Sequence, residues 1–284
     1  MLLQPPIDFV AERALVRPDK VLSGYIKIPQ NTDEHLKLYC IQKKISFAEF
    51  KYLTLLKFHI NINYYFSIEP DRVYLKKYDM NLHEFFKKHI NPMSFRHSTI
   101  RQVTHQIVSA LGYLRVHNVV HRDLKMENVL VTCGRPPHVV LADFEFAIRA
   151  DEEELSKNIV RRFTWTTVAP EVALKEFTNF KRSFAIDYWA LGVILLKCLY
   201  SIDFILLYGS TEKVIAPVDL YRRNLVLLKK RLSRIGASAC TGLDTRAHSL
   251  VAGLLTLEPQ KRLGEADFLK LYTHTYFSAS PRRI

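Results

Sequence analysis

Apolar and polar positions change rhythm along this 284-residue chain. Short apolar-rich runs lie at 21–28 and 36–45, and "NINYYFSIEPDRVYLKKY" at 61–78 reads as two strands around a Pro-Asp turn. Between them, "SFAEFKYLTLLKF" at 46–58 has helical spacing at Phe47, Phe50, Leu53 and Leu56. Ser46 stands at its N-cap with Glu49 three residues on, the pattern of a capping box. Past residue 80 the three-to-four-residue period takes over. Residues 96–117 predict a long amphipathic helix with Ile100, Val103, Ile107, Leu111 and Leu114 on one face. A Val-rich run follows at 139–141, and the remainder is helical pattern broken by loops. A strand-rich first third therefore joins a helix-rich remainder near residues 77–82.

Composition narrows the class without changing that picture. With 48% hydrophobic and 24% charged residues, the chain is ordinary globular protein. Its most apolar stretch, "AIDYWALGVILLKCLYSIDFILLYG", is interrupted by Asp187, Lys197 and Asp203, so it predicts a buried helix and no membrane partner. The first residues lack the basic flank of a signal peptide. Cys40, Cys133, Cys198 and Cys240 show no metal-like pairing, which predicts reduced core thiols in an intracellular, cytoplasmic or nuclear protein. The formal net charge is +13, but the basic residues are spread, with small clusters at 228–234 and 280–284. Solvated helix faces account for them, and without interleaved aromatics no nucleic-acid partner is expected.

The chemistry concentrates in "HRDLKMEN" at 121–128, with "DFE" at 143–145, "APE" at 169–171, "DYWALG" at 187–192 and "LEPQKRLG" at 257–264. In this order and at this spacing they resemble the catalytic loop, metal-binding D-F-G, activation-segment end, D-x-W-x-x-G and L-x-P-x-x-R-L of eukaryotic protein kinases. The resemblance implies an α+β, bilobal kinase-like fold. A small strand-rich N-lobe would span about 10–78 and a larger helical C-lobe about 82–278, as one domain. It further implies ATP and Mg²⁺ as cofactors and a protein substrate bearing a Ser or Thr acceptor. Asp123 would take the acceptor proton, and Lys125 would steady the transferred group. Asn128 and Asp143 would hold Mg²⁺ through oxygen ligands. "DLKMEN" is similar to the Ser/Thr form of the loop. Thr164 stands where such kinases bond a threonine to the catalytic aspartate and lysine, with Thr166 and Thr167 close enough to compete for the role. Glu171 and Arg262 correspond to a buried ion pair in the family, and Asp187 to an aspartate that bonds the catalytic-loop backbone.

The first 60 residues depart from the pattern. The family's G-x-G-x-x-G is reduced to one glycine, Gly24, in "KVLSGYIKIP". In "LYCIQKKI", Gln42 falls where the third-strand lysine belongs, and neighbouring Lys43 faces the other side unless the strand bulges. Glu49 is both the capping-box residue and the glutamate expected to pair with that lysine. Lys27 resembles the second-strand lysine of with-no-lysine kinases, against the plainer reading of an exposed strand residue. Glu145 replaces a glycine that gives the D-F-G segment conformational freedom. The main reading is a Ser/Thr protein kinase. The alternative is a pseudokinase acting as an interaction or allosteric protein, and a kinase-like enzyme acting on a small molecule is more remote.

Overall fold

The structure, a computed structural model, describes residues 40–44, 46–56, 59–63, 65–69, 72–89, 93–151, 164–174, 183–202, 217–238 and 242–278. Gly24, Lys27 and the apolar run 21–28 lie outside the described residues.

Strand β1 (Cys40–Lys44) leads almost directly into helix α1 (Phe47–Leu55). The Ser46 hydroxyl accepts from Glu49 N–H at 3.1 Å, so the predicted N-cap is present. The helix stops at Leu55, before the predicted end, with Leu56 as its C-cap. Tyr52, Leu53 and Leu56 are buried, and Glu49 is buried beside them at 2% exposure. Strands β2 (Tyr65–Glu69) and β3 (Arg72–Lys76) are the pair expected within 61–78. The three strands form an antiparallel sheet in the order β1-β3-β2. The β1–β3 ladder runs unbroken from Cys40↔Lys76 to Lys44↔Arg72, whereas β2 shifts register between Tyr65 and Ser67.

Strand β4 (Met80–Asn81) leads into α2 (Leu82–His89), whose first turn is capped by Asn81 Oδ1 accepting from Glu84 N–H at 3.0 Å. Helix α3 (Met93–Val116) begins three residues before the predicted Arg96. Ile100, Val103, Ile107, Leu111 and Leu114 are each no more than 2% exposed. Burying such a side chain contributes about 1.5–3 kcal/mol, so this one face holds the helix against the fold.

After α3 come β5 (Val119–Val120), a short loop, a 3₁₀ turn (Met126–Asn128), β6 (Val129–Thr132), β7 (His138–Leu141) and β8 (Ile148–Arg149). β4, β6 and β7 pair in that order, and β5 pairs with β8. A short helix α4 (Pro170–Ala173) precedes α5 (Ala185–Tyr200), which is buried on nearly all sides. Then follow α6 (Pro217–Ala237), α7 (Gly242–Leu254) and α8 (Phe268–Tyr272). α5 and α7 approach so closely at Gly192 that a Cβ there would sit 2.8 Å from Leu255 Cδ2. One buried cluster runs from Tyr52 and Leu75 through Leu111 to Leu196 and Tyr276. The sheet and the helical portion therefore share a core, the α+β arrangement expected.

One thiol departs from expectation. Cys198 is buried, but Cys133 is exposed, because it sits in the polar connection after β6. No described helix is long and apolar enough to cross a membrane.

Candidate active site

Backbone amides fix the loop at 121–125 from below. Asp187, at 2% exposure in the first turn of α5, accepts from His121 N–H at 2.7 Å and from Arg122 N–H at 2.8 Å. Both carboxylate oxygens are thus committed to one peptide corner, where Arg122 takes a left-handed φ of 67°. Such a conformation persists in a non-glycine residue only when its surroundings over-determine it. Burial pushes the Asp187 carboxyl up, and the two amide donors oppose that shift.

Above that corner lies Asp123, also at 2% exposure. Lys125 Nζ donates to its Oδ2 at 2.7 Å, and Thr164 Oγ1 donates to its Oδ1 at 2.5 Å. Asn128 Nδ2 donates to Asp123 Oδ2 and to Asp123 O, each at 2.9 Å. Lys125 Nζ also reaches Thr164 Oγ1 at 3.3 Å. A carboxylate held by three side-chain donors has little rotational freedom. With its amide nitrogen turned to Asp123, Asn128 has only Oδ1 left as a cation ligand.

Asp143 is tied to the same loop through the residue before it. Ala142 N–H donates to Asn128 O at 2.9 Å, and Ala142 O accepts from His121 Nε2 at 3.0 Å. A carbonyl only accepts, so Nε2 carries the proton and Nδ1 accepts from Asp123 N–H at 3.3 Å. His121 also packs on the fully buried Phe144, with ring centroids 4.9 Å apart. Asp143 adopts a φ of 66°, while Glu145 is absent from the positive-φ residues. The glycine missing at 145 is therefore not required by this backbone, and the exposed Glu145 takes its place without strain.

The segment ending in "APE" rests on a buried ion pair. Arg262 meets Glu171 in a fork, Nη1–Oε1 at 2.6 Å and Nη2–Oε2 at 3.0 Å, with both side chains at 0% exposure. Its remaining donors go to Thr256 O, Ala185 O and Leu257 O, and its guanidinium lies 5.1 Å from the Trp189 ring centre. Tyr221, from α6, donates its hydroxyl to Val168 O at 2.6 Å.

Of the residues singled out in the sequence, Asp123, Lys125, Asn128 and Thr164 are joined by hydrogen bonds, and Asp143 follows Ala142, which Asn128 and His121 hold. Thr164, and neither Thr166 nor Thr167, is the threonine that reaches Asp123. Lys43 lies in β1, and the continuous β1–β3 register contains no bulge to exchange it with Gln42. Asp151, the first residue of the acidic run at 151–154, forms a two-bond pair at 2.9 and 2.7 Å with Arg149, two residues back at the end of β8. Glu152–Glu154 lie outside the described residues. Sequence reasoning assigned no part to His121, which links Asp123, Ala142 and Phe144. Its only signal is its place at the head of "HRD".

The profile of the protein kinase domain matches residues 27–277. Over 224 residues the chain is 29% identical to serine/threonine-protein kinase Sgk2 of Homo sapiens, covering 78% of this chain and 54% of that protein. Sgk2 of Mus musculus is 30% identical over 224 residues, with the same coverage of 78% and 54%. Sgk1-B of Xenopus laevis is 29% identical over 222 residues, 76% of this chain and 45% of that one. The chain spans about half the length of the curated relatives it matches. By this match over most of its length, the chain belongs to the protein kinase domain family, among relatives that are serine/threonine kinases.

Proposed function

We propose that this protein is an active Ser/Thr kinase that transfers the γ-phosphoryl group of ATP to a protein hydroxyl. One observation carries the reading: Asp123 is held at once by Lys125, Thr164 and Asn128. An eroded catalytic loop has no reason to keep that arrangement. Phosphoryl transfer asks mainly for positioning and charge neutralisation. Asp123 orients the acceptor hydroxyl and takes up its proton. Lys125 bridges Asp123 and Thr164 and presents positive charge at the transferred group. Among the described residues no group of three or more His, Cys, Asp or Glu is placed to hold a metal. The donor set nevertheless fits Mg²⁺, which takes one or two protein oxygens plus substrate phosphates. Those oxygens would be Asn128 Oδ1 and the Asp143 carboxylate, and the bound ion would supply charge neutralisation on the nucleotide phosphates. In this reading Gly24 and Lys27 cover the phosphates, Glu49 belongs to the same lobe, and the enzyme works inside the cell.

The pseudokinase reading keeps one specific support: Gln42 occupies the third-strand lysine position in a strand of regular register. The two readings separate in one assay with radiolabelled ATP, Mg²⁺ and a mixture of protein substrates. Wild type should label Ser or Thr. Asp143→Ala and Asp123→Asn should each lose about 10²–10⁴-fold in rate, and Asp123→Asn should still bind ATP. No incorporation by wild type, or equal incorporation by all three, would leave the pseudokinase.

A further inference from the structure

The sequence from Leu220 to Leu243 contains six basic residues and no Asp or Glu. Arg222, Arg223, Lys229, Lys230, Arg231 and Arg234 are all exposed on α6, while Tyr221, Leu225 and Leu228 on its other side are buried. All but Arg231 fall within an arc of about 140° on the helix surface, over about 18 Å from Arg222 to Arg234. Arg222 meets Asp219 at 3.6 Å, and among the described residues no ion pair involves the other five. Neighbours one turn apart, such as Lys230 and Arg234, carry like charge, which an isolated helix disfavours. The apolar side of α6 is committed to the core, so the helix cannot bury that side in a lipid surface.

The head of the same helix is bound to the activation segment. Tyr221 holds Val168 O, and Val168 lies between Thr164, which bonds Asp123, and Glu171, which is locked by Arg262. The basic stripe starts at the very next residue. We propose that the exposed face of α6 is a docking surface for an acidic segment of the protein substrate, lying outside the phosphorylated residue. The proposal rests on the kinase reading above for the word substrate. In this proposal a polypeptide leaving the Asp123 site past Val168 would reach Arg222 and Arg223, next to Tyr221, and carboxylates farther along it would pair with Lys229, Lys230 and Arg234. Charge complementarity of this kind raises encounter rate and selects partners. Among its described residues α6 carries no exposed aromatic on which bases could stack, which sets it apart from single-strand nucleic-acid platforms.

The test uses the whole chain and two Ser-containing peptides, one with a tail of eight glutamates and one with a tail of eight alanines. The variant carries Arg223→Gln, Lys229→Gln, Lys230→Gln and Arg234→Gln, all exposed positions, with Arg222 left to its Asp219 pair. Wild type should show a KM about tenfold lower for the glutamate-tailed peptide, a preference that raised salt removes. The variant should lose the preference while keeping kcat and KM for the alanine-tailed peptide. A second variant, Lys230→Glu with Arg234→Glu, should prefer a lysine-tailed peptide, which a misfolded protein cannot do. Anisotropy of the labelled glutamate tail, without ATP, reads docking independently of transfer. Tail binding lost in the glutamine variant supports the surface even if no phosphate moves. Normal transfer with no tail preference overturns the docking proposal and leaves the kinase reading intact. Tighter variant-sensitive binding of duplex DNA, or of vesicles rich in anionic lipid, than of the glutamate tail overturns it in favour of that occupant.

Discussion

Thr164 donates its hydroxyl to Asp123 Oδ1 at 2.5 Å across 41 positions of sequence. The bond joins the activation segment to the catalytic loop, and Lys125 closes the triangle by reaching both residues. The activation segment thus adds its own hold on the Asp123 carboxylate to those of Lys125 and Asn128, so in the proposed reaction order in the segment and positioning of Asp123 are coupled.

Thr164→Val removes that hydroxyl and keeps the side chain's shape. It should lower kcat about 10- to 100-fold, because a slightly misplaced group loses much of its positioning advantage. Thr164→Ser should retain most activity, and KM for ATP should barely move in either. Steady-state kinetics of the three proteins checks this. A fall in ATP affinity equal to the fall in kcat would mean that Thr164 supports the nucleotide site instead.

The lysine question is open to substitution. Lys27→Ala should reduce kcat/KM by about 10²-fold, and Lys43→Ala should do little, since β1 runs without the bulge Lys43 would need. The opposite ranking would assign the phosphate contact to Lys43. No effect from either would favour the pseudokinase.

Arg262→Met should destabilise the fold by about 3–5 kcal/mol, because Glu171 would be left charged and unpaired where neither side chain meets water. Adding Glu171→Leu should recover much of the loss. Denaturant unfolding of the single and double variants measures both. A double variant no more stable than the single would show that the Arg262 bonds to Thr256, Ala185 and Leu257 matter more than the ion pair.

Asn224 is fully buried in α6, and neither atom of its amide has a hydrogen-bond partner among the described residues. Asn224→Leu should therefore raise stability by about 1–2 kcal/mol, since an unpartnered buried amide loses its bonds to water without replacement. A melting temperature at or below wild type would contradict the burial argument.

His59, His138 and His274 all titrate below the ordinary 6.5, each lowered first by burial. His59 stacks on Tyr113 at 4.7 Å, and nearby His117 lowers it further. A depressed folded-state pKa means that the unfolded chain binds more protons below about 6.5, so stability rises with pH up to there and then levels. The melting temperature should hold steady from pH 8 to about 7 and fall as pH drops toward 5. Replacing the three histidines by Gln should flatten that fall. An unchanged pH profile in the triple variant would rule these groups out as its cause.

Local order was legible in the sequence. The buried stripe of α3, the β2–β3 pair and the Ser46 cap each depend on residues a few positions apart. Spacing and residue type decide such features before any long-range contact forms. The same holds for the residues at 121–128, whose chemistry is written in their side chains. Tertiary structure decided the rest. It selected Thr164 over Thr166 and Thr167, set Asp187 under His121 and Arg122, and gave His121 its hold on Ala142 and Phe144. It also paired Asp151 with Arg149 and buried the Asn224 amide with no partner among the described residues. These outcomes turn on distances of a few ångströms between residues tens of positions apart. Sequence spacing says nothing of such distances until the core has packed and brought the two stretches of chain together.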